Sequence, residues 1–160
     1  MPFTPFHLGP GALFKSTGGR HFSFMIFGGS QVLMDLEPLV RIIRRDAVLH
    51  GASHTVAGAF GIGVVSAVAG RPVSQFALWL LGQRDPRISW TVAFASAFIG
   101  TYSHIVLDAV MHPDMRPFWP FTVGNPLLGA IHVGALHLLC VACGLLGMTI
   151  IGLRAALRNR

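Results

Sequence analysis

Charged side chains are scarce in this sequence, and their scarcity decides the class of protein. Lys, Arg, Asp and Glu together make up 11% of the 160 residues, less than half of the roughly 25% found in soluble domains. So few charges cannot cover the surface of a soluble fold whose residues are 52% hydrophobic and whose mean hydropathy is +0.62. The composition therefore predicts a protein embedded in a lipid bilayer.

Cysteine and processing signals are also nearly absent. The two cysteines, Cys140 and Cys143, stand three residues apart inside the last apolar run. Such a pair can share a helix face and serve redox or metal chemistry, but free cysteine also behaves as a small apolar residue, and we assign this pair no function. Residues 5–14 lack a basic segment and a cleavage site, so we expect no signal peptide.

Long apolar runs are what the sequence has instead of charge. Four of them approach or exceed the roughly 20 residues that a spanning helix needs. They cover residues 22–43, 47–70, 88–107 and 117–153. Residues 72–83 predict an interfacial or half-spanning helix, and Thr4-Pro5 predicts the start of a short first helix. The predicted fold is all-α, an integral membrane helical bundle of about four spanning helices with short N-terminal and interfacial helices. Residues 1–160 form a single domain in this interpretation.

Positive charge gathers between the apolar runs, as in multi-pass membrane proteins, and not on a nucleic-acid-binding surface. Alternating four spans groups most of the Lys and Arg residues on the side of the C-terminus. That group is Lys15, Arg20, Arg71, Arg84, Arg87, Arg154, Arg158 and Arg160, with Arg41, Arg44, Arg45 and Arg116 opposite. We therefore predict an inner (plasma) membrane protein with a cytoplasmic C-terminus, the lipid bilayer as its partner and no nucleic-acid partner.

Ionisable residues at the margins of these runs mark a candidate site, because they are costly in a membrane. In an up-down bundle, the end of the first long helix, the start of the second and the end of the third lie on one side. The residues at these places are Asp35, Glu37, His50, His54, His104, Asp108 and His112, and His7 joins them if the first helix dips into the bilayer. Imidazole and carboxylate together suit zinc, manganese or iron.

Helical spacing favours coordination by two pairs. His50 and His54 are i and i+4, as are His104 and Asp108, so each pair can point two ligand atoms from one helix face. His112 is rotated by roughly 80° from His104 and is a secondary candidate.

The acidic pair and the last two histidines follow different rules. Asp35 and Glu37 would face opposite sides of a regular helix, unless the helix ends near Pro38. His132 and His137 share no helix face within the last run, and we expect them to interact with neighbouring helices.

These motifs resemble a known family. A histidine at position 7, D-x-E at 35–37, H-x-x-x-H-T at 50–55 and S-H-x-x-x-D at 103–108 are similar to inner-membrane metal-dependent hydrolases of the LexA-regulated type. That family is distantly related to the zinc-dependent phospholipase C enzymes, and the order and spacing match over residues 5–120. The metal ligands that the resemblance implies are His7, Asp35, His54, His104 and Asp108, with His50 close by.

The function expected on these grounds is a membrane-embedded hydrolase that acts on an ester or phosphoester, which its location suggests is lipid-linked. A divalent metal, zinc first and manganese or iron next, would activate water, and Asp35 or Glu37 would be the bridging ligand or general base. The alternative is a non-catalytic membrane subunit or scaffold whose cluster holds a structural ion. Ion transport would need a polar path across the membrane, for which His132 and His137 are the only candidates.

Overall fold

The computed structural model describes residues 5–158, and every regular element in that range is a helix. A 3-10 turn at Pro5–His7 leads into α1, and further 3-10 turns cover Gly19–His21 and Ala52–His54. The α-helices are α1 (Leu8–Gly18), α2 (Phe24–Arg44), α3 (Val56–Leu80), α4 (Trp90–Met111) and α5 (Val133–Arg158). The predicted all-α class is confirmed.

Three of the long helices begin at a hydroxyl side chain that accepts a hydrogen bond from the first turn. These N-caps are Ser23 for α2, Thr55 for α3 and Ser89 for α4. Such a cap satisfies one of the backbone N–H groups that a helix start leaves without a partner. Because Thr55 begins α3, the residue before it, His54, is fixed at the mouth of that helix.

The helices α3, α4 and α5 are each long and apolar enough to cross a membrane. The described part of the chain is therefore that of a helical membrane protein. α2 is not among these three because it carries Asp35, Glu37 and Arg41. Asp35 is buried, and the Glu37 carboxylate lies 2.8 Å from the Arg41 guanidinium. The span predicted for residues 22–43, which corresponds to α2, stays a prediction.

The prolines inside the helices correct two predictions. The separate helix expected at 72–83 is wrong, because α3 continues through Pro72 to Leu80. α2 likewise continues through Pro38 to Arg44 and does not end at Glu37. A proline removes one backbone hydrogen bond and usually kinks or ends a helix. Neighbouring helices can compensate for that loss when the helix is packed in a bundle.

Two long apolar runs proved to be only partly helical. The second run was expected to be helical from residue 47, but α3 begins at Val56, and residues 47–51 form an irregular segment. The last run starts at residue 117, yet α5 begins at Val133. Thr4, the predicted first N-cap, lies outside the described residues. Apolar composition located the helices correctly but not their first residues.

Helix packing brings four chain segments to one end of the bundle. α2, α3 and α4 pack together, and α1 lies against α5. The α2–α4 crossing is close, since a Cβ on Gly100 would lie 1.9 Å from Ser30 Oγ. Since α2, α3 and α4 are successive helices, the end of α2, the start of α3 and the end of α4 meet at the same level. The Pro5–His7 turn joins them there by packing against α4 and α5.

Candidate metal centre

Four buried side chains from three segments converge at this end of the bundle. They are Asp35 on α2, His54 before α3, and His104 and Asp108 on α4. One ligand atom from each lies within 4.8 Å of all the others. His104 Nε2 is 3.1 Å from Asp108 Oδ2 and 3.5 Å from Asp35 Oδ1, while His54 Nε2 is 3.3 Å from His104 Nε2. This group can hold a metal ion.

A second group shares one carboxylate with the first. It consists of His50, Asp108 and His112. His50 Nε2 lies 3.8 Å from Asp108 Oδ2, and His112 Nε2 lies 3.8 Å from Asp108 Oδ1. The rings of His50 and His112 stack with centroids 4.4 Å apart. Asp108 therefore belongs to both groups and would be a ligand in either of them.

His7 carries the buried atom that best tests whether a metal fits. Its Nε2 lies 3.4 Å from Asp108 Oδ1, yet it makes no hydrogen bond and is inaccessible to water. Burial lowers the pKa of His7 to about 4, so the imidazole is neutral at pH 7. A buried nitrogen without a partner is costly unless an ion satisfies it. The residues present therefore fit a divalent cation at Asp108.

Two of the histidines are oriented by acceptors behind them. His104 Nδ1 lies 2.6 Å from the Gln31 side-chain oxygen, and His50 Nδ1 lies 2.9 Å from Asp114 Oδ1. Because the amide oxygen and the carboxylate can only accept, each Nδ1 is the protonated nitrogen. Nε2 of each ring is thereby turned toward Asp108, and it is the nitrogen that would bind a metal ion.

Asp114 is itself fixed by the backbone. Its Oδ2 accepts hydrogen bonds from the N–H groups of Leu49 and His50, at 2.9 Å and 3.1 Å. Burial acts to raise the pKa of Asp114, but the hydrogen bonds from His50 and Leu49 outweigh it and lower the pKa to about 2. The side chain is a carboxylate at neutral pH and holds both the backbone and the ring of His50.

His54 is oriented through a longer chain of contacts. Its Nδ1 lies 2.8 Å from Ser53 Oγ, and that hydroxyl is hydrogen-bonded to Glu37 Oε2, which also accepts from the Ser53 N–H at 2.8 Å. The other oxygen, Glu37 Oε1, accepts from Arg41 at 2.8 Å and 3.0 Å. Glu37 thus supports the histidine without joining either group of candidate ligands.

The predicted ligands lie close together in the structure, but His50 and His54 do so without sharing a helix face. Asp35, His54, His104 and Asp108 form the first group, His50 belongs to the second, and His7 contacts Asp108. The expectation that His50 and His54 share a helix face is wrong, because both precede α3. Their rings nevertheless lie 4.8 Å apart. Asp35 and Glu37 contact different partners, as expected for residues two apart on a continuous helix.

Sequence reasoning missed the three side chains that orient the histidines. Gln31 lies four residues before Asp35 and is an amide in an otherwise apolar stretch, which is a usable signal. Ser53 precedes His54 directly. Nothing in the sequence connects Asp114 with His50, because the two are 64 residues apart.

The last two histidines lie apart from the centre. His132 Nδ1 accepts from the Gly134 N–H at 3.2 Å, beside the first turn of α5. His137 stacks on Phe6, with ring centroids 4.4 Å apart. Within residues 5–158, neither of them belongs to a group that could hold a metal.

Comparisons with protein-family models, with curated proteins and with solved structures found no match for this chain. The chemistry of the centre is therefore interpreted from its own geometry.

Proposed function

We propose that this chain is a membrane-embedded, metal-dependent hydrolase that acts on an ester or phosphoester. The observation that supports it best is the position of Asp108, whose two oxygens lie within 4 Å of five imidazole Nε2 atoms from three segments of the chain. These histidines are His7, His50, His54, His104 and His112. Imidazoles gathered around a shared carboxylate are typical of hydrolytic metal centres.

Zinc is the first candidate metal, because its protein ligands are imidazole nitrogens and carboxylate oxygens in sites of this composition; manganese and iron also accept them. Asp35, His54, His104 and Asp108 would hold one ion, and His50, His112 and Asp108 a second, with His7 beside them. When bound, a divalent ion supplies Lewis acidity that lets water act as a nucleophile at neutral pH.

The protein supplies orientation and a proton acceptor. Gln31, Ser53 and Asp114 hold three rings so that each presents Nε2 to Asp108. Asp35 borders a cleft that opens at the bundle surface, so we assign it the role of accepting a proton from the attacking water. We assign Glu37 a positioning role, through Ser53 and His54.

A structural metal site in a non-catalytic subunit is the second candidate function. The observation that favours it is burial, since His54 and His104 are completely inaccessible to solvent. A closed site without an open coordination position would hold an ion without activating water. Hydrolysis is favoured because His50, His7 and Asp35 border open cavities, which give a substrate access to the centre.

Metal analysis and turnover in matched variants test the proposal. We expect purified protein to contain divalent metal and to show chelator-sensitive hydrolysis of a phosphoester or lipid ester. His104→Ala and Asp108→Asn should lose both while the protein still inserts and purifies. His21→Ala is the matched control, because His21 is exposed and lies in the turn after α1. If the parent turns over no ester in a broad panel, and both variants unfold, the structural-ion function is correct instead.

A further inference from the structure

Two voids reach the candidate centre, and within residues 5–158 arginine side chains line only one of them. One is a cleft of about 470 Å³, named the α1–α2 cleft, which lies between α2 and the turn that leads into the first residue of α1, with His7, Gln31 and Asp35 among its lining residues. The other is a cavity of about 310 Å³ bordered by His50. His7 lies 3.4 Å from Asp108 Oδ1 and His50 lies 3.8 Å from Asp108 Oδ2, so each void ends at a histidine beside the same carboxylate.

The cleft between α1 and α2 is apolar and open to the outside of the bundle. Its walls are Leu8, Phe24, Met25 and Val32, with Gly28 and Gly29 between them. A Cβ built on Gly29 would meet nothing within 4 Å, so the glycine leaves real space there. The apolar surface of the cleft continues along α2 as a stripe of exposed apolar side chains at helical spacing. These are Met25, Val32, Leu36 and Val40. In a membrane protein, such a stripe faces lipid chains.

The cavity beside His50 is basic. Arg41, Arg116 and Trp119 line it, and no Asp or Glu is among the described residues that do. The Arg41 charge is matched by Glu37, at 2.8 Å. Arg116, in contrast, forms no ion pair with any residue between 5 and 158. An unpaired guanidinium beside the centre is suited to an anionic group.

We propose that the centre acts on an anionic amphiphile, whose hydrocarbon chain lies in the α1–α2 cleft and whose anionic group lies at the inner end of the basic cavity, beside His50 and Asp108. This rests on the proposed hydrolase function and names its substrate class. The bond to be cleaved then lies beside Asp108, between the two voids. Hydrolysis consumes one water: its oxygen bonds to the phosphoryl or acyl centre, the bond to the leaving oxygen breaks, and that oxygen takes one proton while the other is released.

The size of the cleft favours an alkyl chain over a partner helix. A helix with its side chains is about 10 Å wide, so roughly one turn would fill a void of this volume. One turn contributes little binding, and its side chains would project onto His7 and Asp35 in place of a substrate. A lipid chain is thinner, follows the cleft lengthwise and leaves its polar end at the centre.

Filling the cleft tests the position of the chain. We compare hexadecyl p-nitrophenyl phosphate with methyl p-nitrophenyl phosphate, two anionic phosphodiesters that differ only in the alkyl group. Gly29→Leu should lower the preference for the hexadecyl substrate, measured as a ratio of kcat/KM values, at least tenfold. Gly61→Leu on α3 is the matched control, because a Cβ there also meets nothing within 4 Å and Gly61 borders neither void. An unchanged ratio in Gly29→Leu overturns the proposal.

Removing the unpaired guanidinium tests the position of the anion. Arg116→Gln should reduce the preference for hexadecyl p-nitrophenyl phosphate over the uncharged p-nitrophenyl palmitate about tenfold, the scale of one charge-assisted hydrogen bond. Arg44→Gln is the control, since Arg44 lies at the same end of the bundle but outside the basic cavity. Equal preferences in the parent and Arg116→Gln would contradict the assignment of the anionic group.

A labelling experiment separates failure of this inference from failure of the proposed function. Hexadecyl phosphate with a photoreactive diazirine on its chain should label the peptide that holds residues 5–8 and the peptides of α2, and Gly29→Leu should reduce that labelling while Gly61→Leu does not. Labelling of these helices without any turnover would support the ligand class and reject the hydrolase. Turnover with labelling spread evenly over all helices would support the hydrolase and reject the cleft.

Discussion

At the scale of single residues, the centre is defined as much by what stands behind the histidines as by the candidate ligands. Gln31, Ser53 and Asp114 each hold the Nδ1 of one ring, so Nε2 is the nitrogen that faces Asp108. Outer partners of this kind raise the basicity of the ligand and fix its tautomer. Their removal should therefore weaken metal binding without abolishing it.

Glu37 and Asp35 provide the sharpest residue-scale prediction. Glu37→Gln should leave the number of bound ions unchanged and weaken metal affinity by about 10-fold to 100-fold, because the support of His54 through Ser53 is lost. Asp35→Asn should remove an ion, since Asp35 lies in the first group. Competition titration with a chromogenic chelator, together with elemental analysis, measures both quantities.

The control for this pair is Asp46→Asn, a carboxylate at the same end of the bundle whose nearest cation is Arg44 at 3.9 Å. It should change neither affinity nor stoichiometry. Loss of an ion in Glu37→Gln would make Glu37 a ligand and remove the distinction between the two acidic residues.

Residue types and spacing could predict the gathering of His7, Asp35, His54, His104 and Asp108, because ionisable groups at the ends of antiparallel apolar helices must lie at one level. They could not predict which residues stand behind the rings. The pairing of Asp114 with His50 depends on the irregular path of residues 47–51, and no local pattern specifies that path. The role of Glu37 likewise depends on Ser53, which only the fold brings near it.

At the scale of helices, α1 is held in place by close backbone contact with α5. A Cβ on Gly147 would lie 2.4 Å from the Ala12 carbonyl carbon, and one on Gly9 would lie 2.0 Å from the Cys140 carbonyl oxygen. Only glycine permits this approach, because a backbone neighbour cannot move aside as a flexible side chain can. Since His7 directly precedes α1, this contact also fixes its position relative to Asp108.

Gly147→Ala should therefore destabilise the bundle by about 1–3 kcal/mol, the usual cost of overpacking. We expect metal affinity to fall with it, because α1 and His7 must shift. Gly152→Ala on the same helix is the matched control, since its Cβ meets nothing within 4 Å and the change should be neutral or slightly stabilising. Thermal unfolding in detergent, with and without chelator, measures both effects. Equal stability of the two variants would mean that α1 and α5 are not in backbone contact.

Helix boundaries were the least predictable feature at this scale. Pro38 and Pro72 suggested helix ends, yet α2 and α3 run through them, because packing against neighbouring helices outweighs the local preference of proline. Residues 117–132 suggested a helix by composition but form the irregular connection to α5. Apolar composition is compatible with a packed loop as well as with a spanning helix.

At the scale of the whole molecule, the two ends of the bundle differ in charge. The centre lies at the end that carries Arg41, Arg44, Arg45 and Arg116. The other end holds the remaining basic side chains described. There, Arg154 of α5 donates to the Ser16 carbonyl of α1, and Arg71 of α3 donates to the Ile88 carbonyl before α4 at 2.7 Å. The C-terminal parts of α1, α3 and α5 and the start of α4 therefore lie at this end. This asymmetry predicts an orientation, because the more basic end of a multi-pass protein stays in the cytoplasm.

The centre should then face the extracytoplasmic side of the membrane. We test this in a protein whose native cysteines have been replaced, Cys140→Ala and Cys143→Ala, by adding single cysteines at exposed or half-exposed loop positions. Asp46→Cys, after α2, should react with a membrane-impermeant maleimide added to intact cells. Arg84→Cys, between α3 and α4, should react only after permeabilisation, and it is the internal control for membrane integrity. The reverse pattern would place Asp108 and both voids on the cytoplasmic side, where an anionic amphiphile would have to come from the inner leaflet. Such a result would change the source of the substrate but leave the geometry of the centre, which the contacts within the bundle set without regard to its orientation in the membrane.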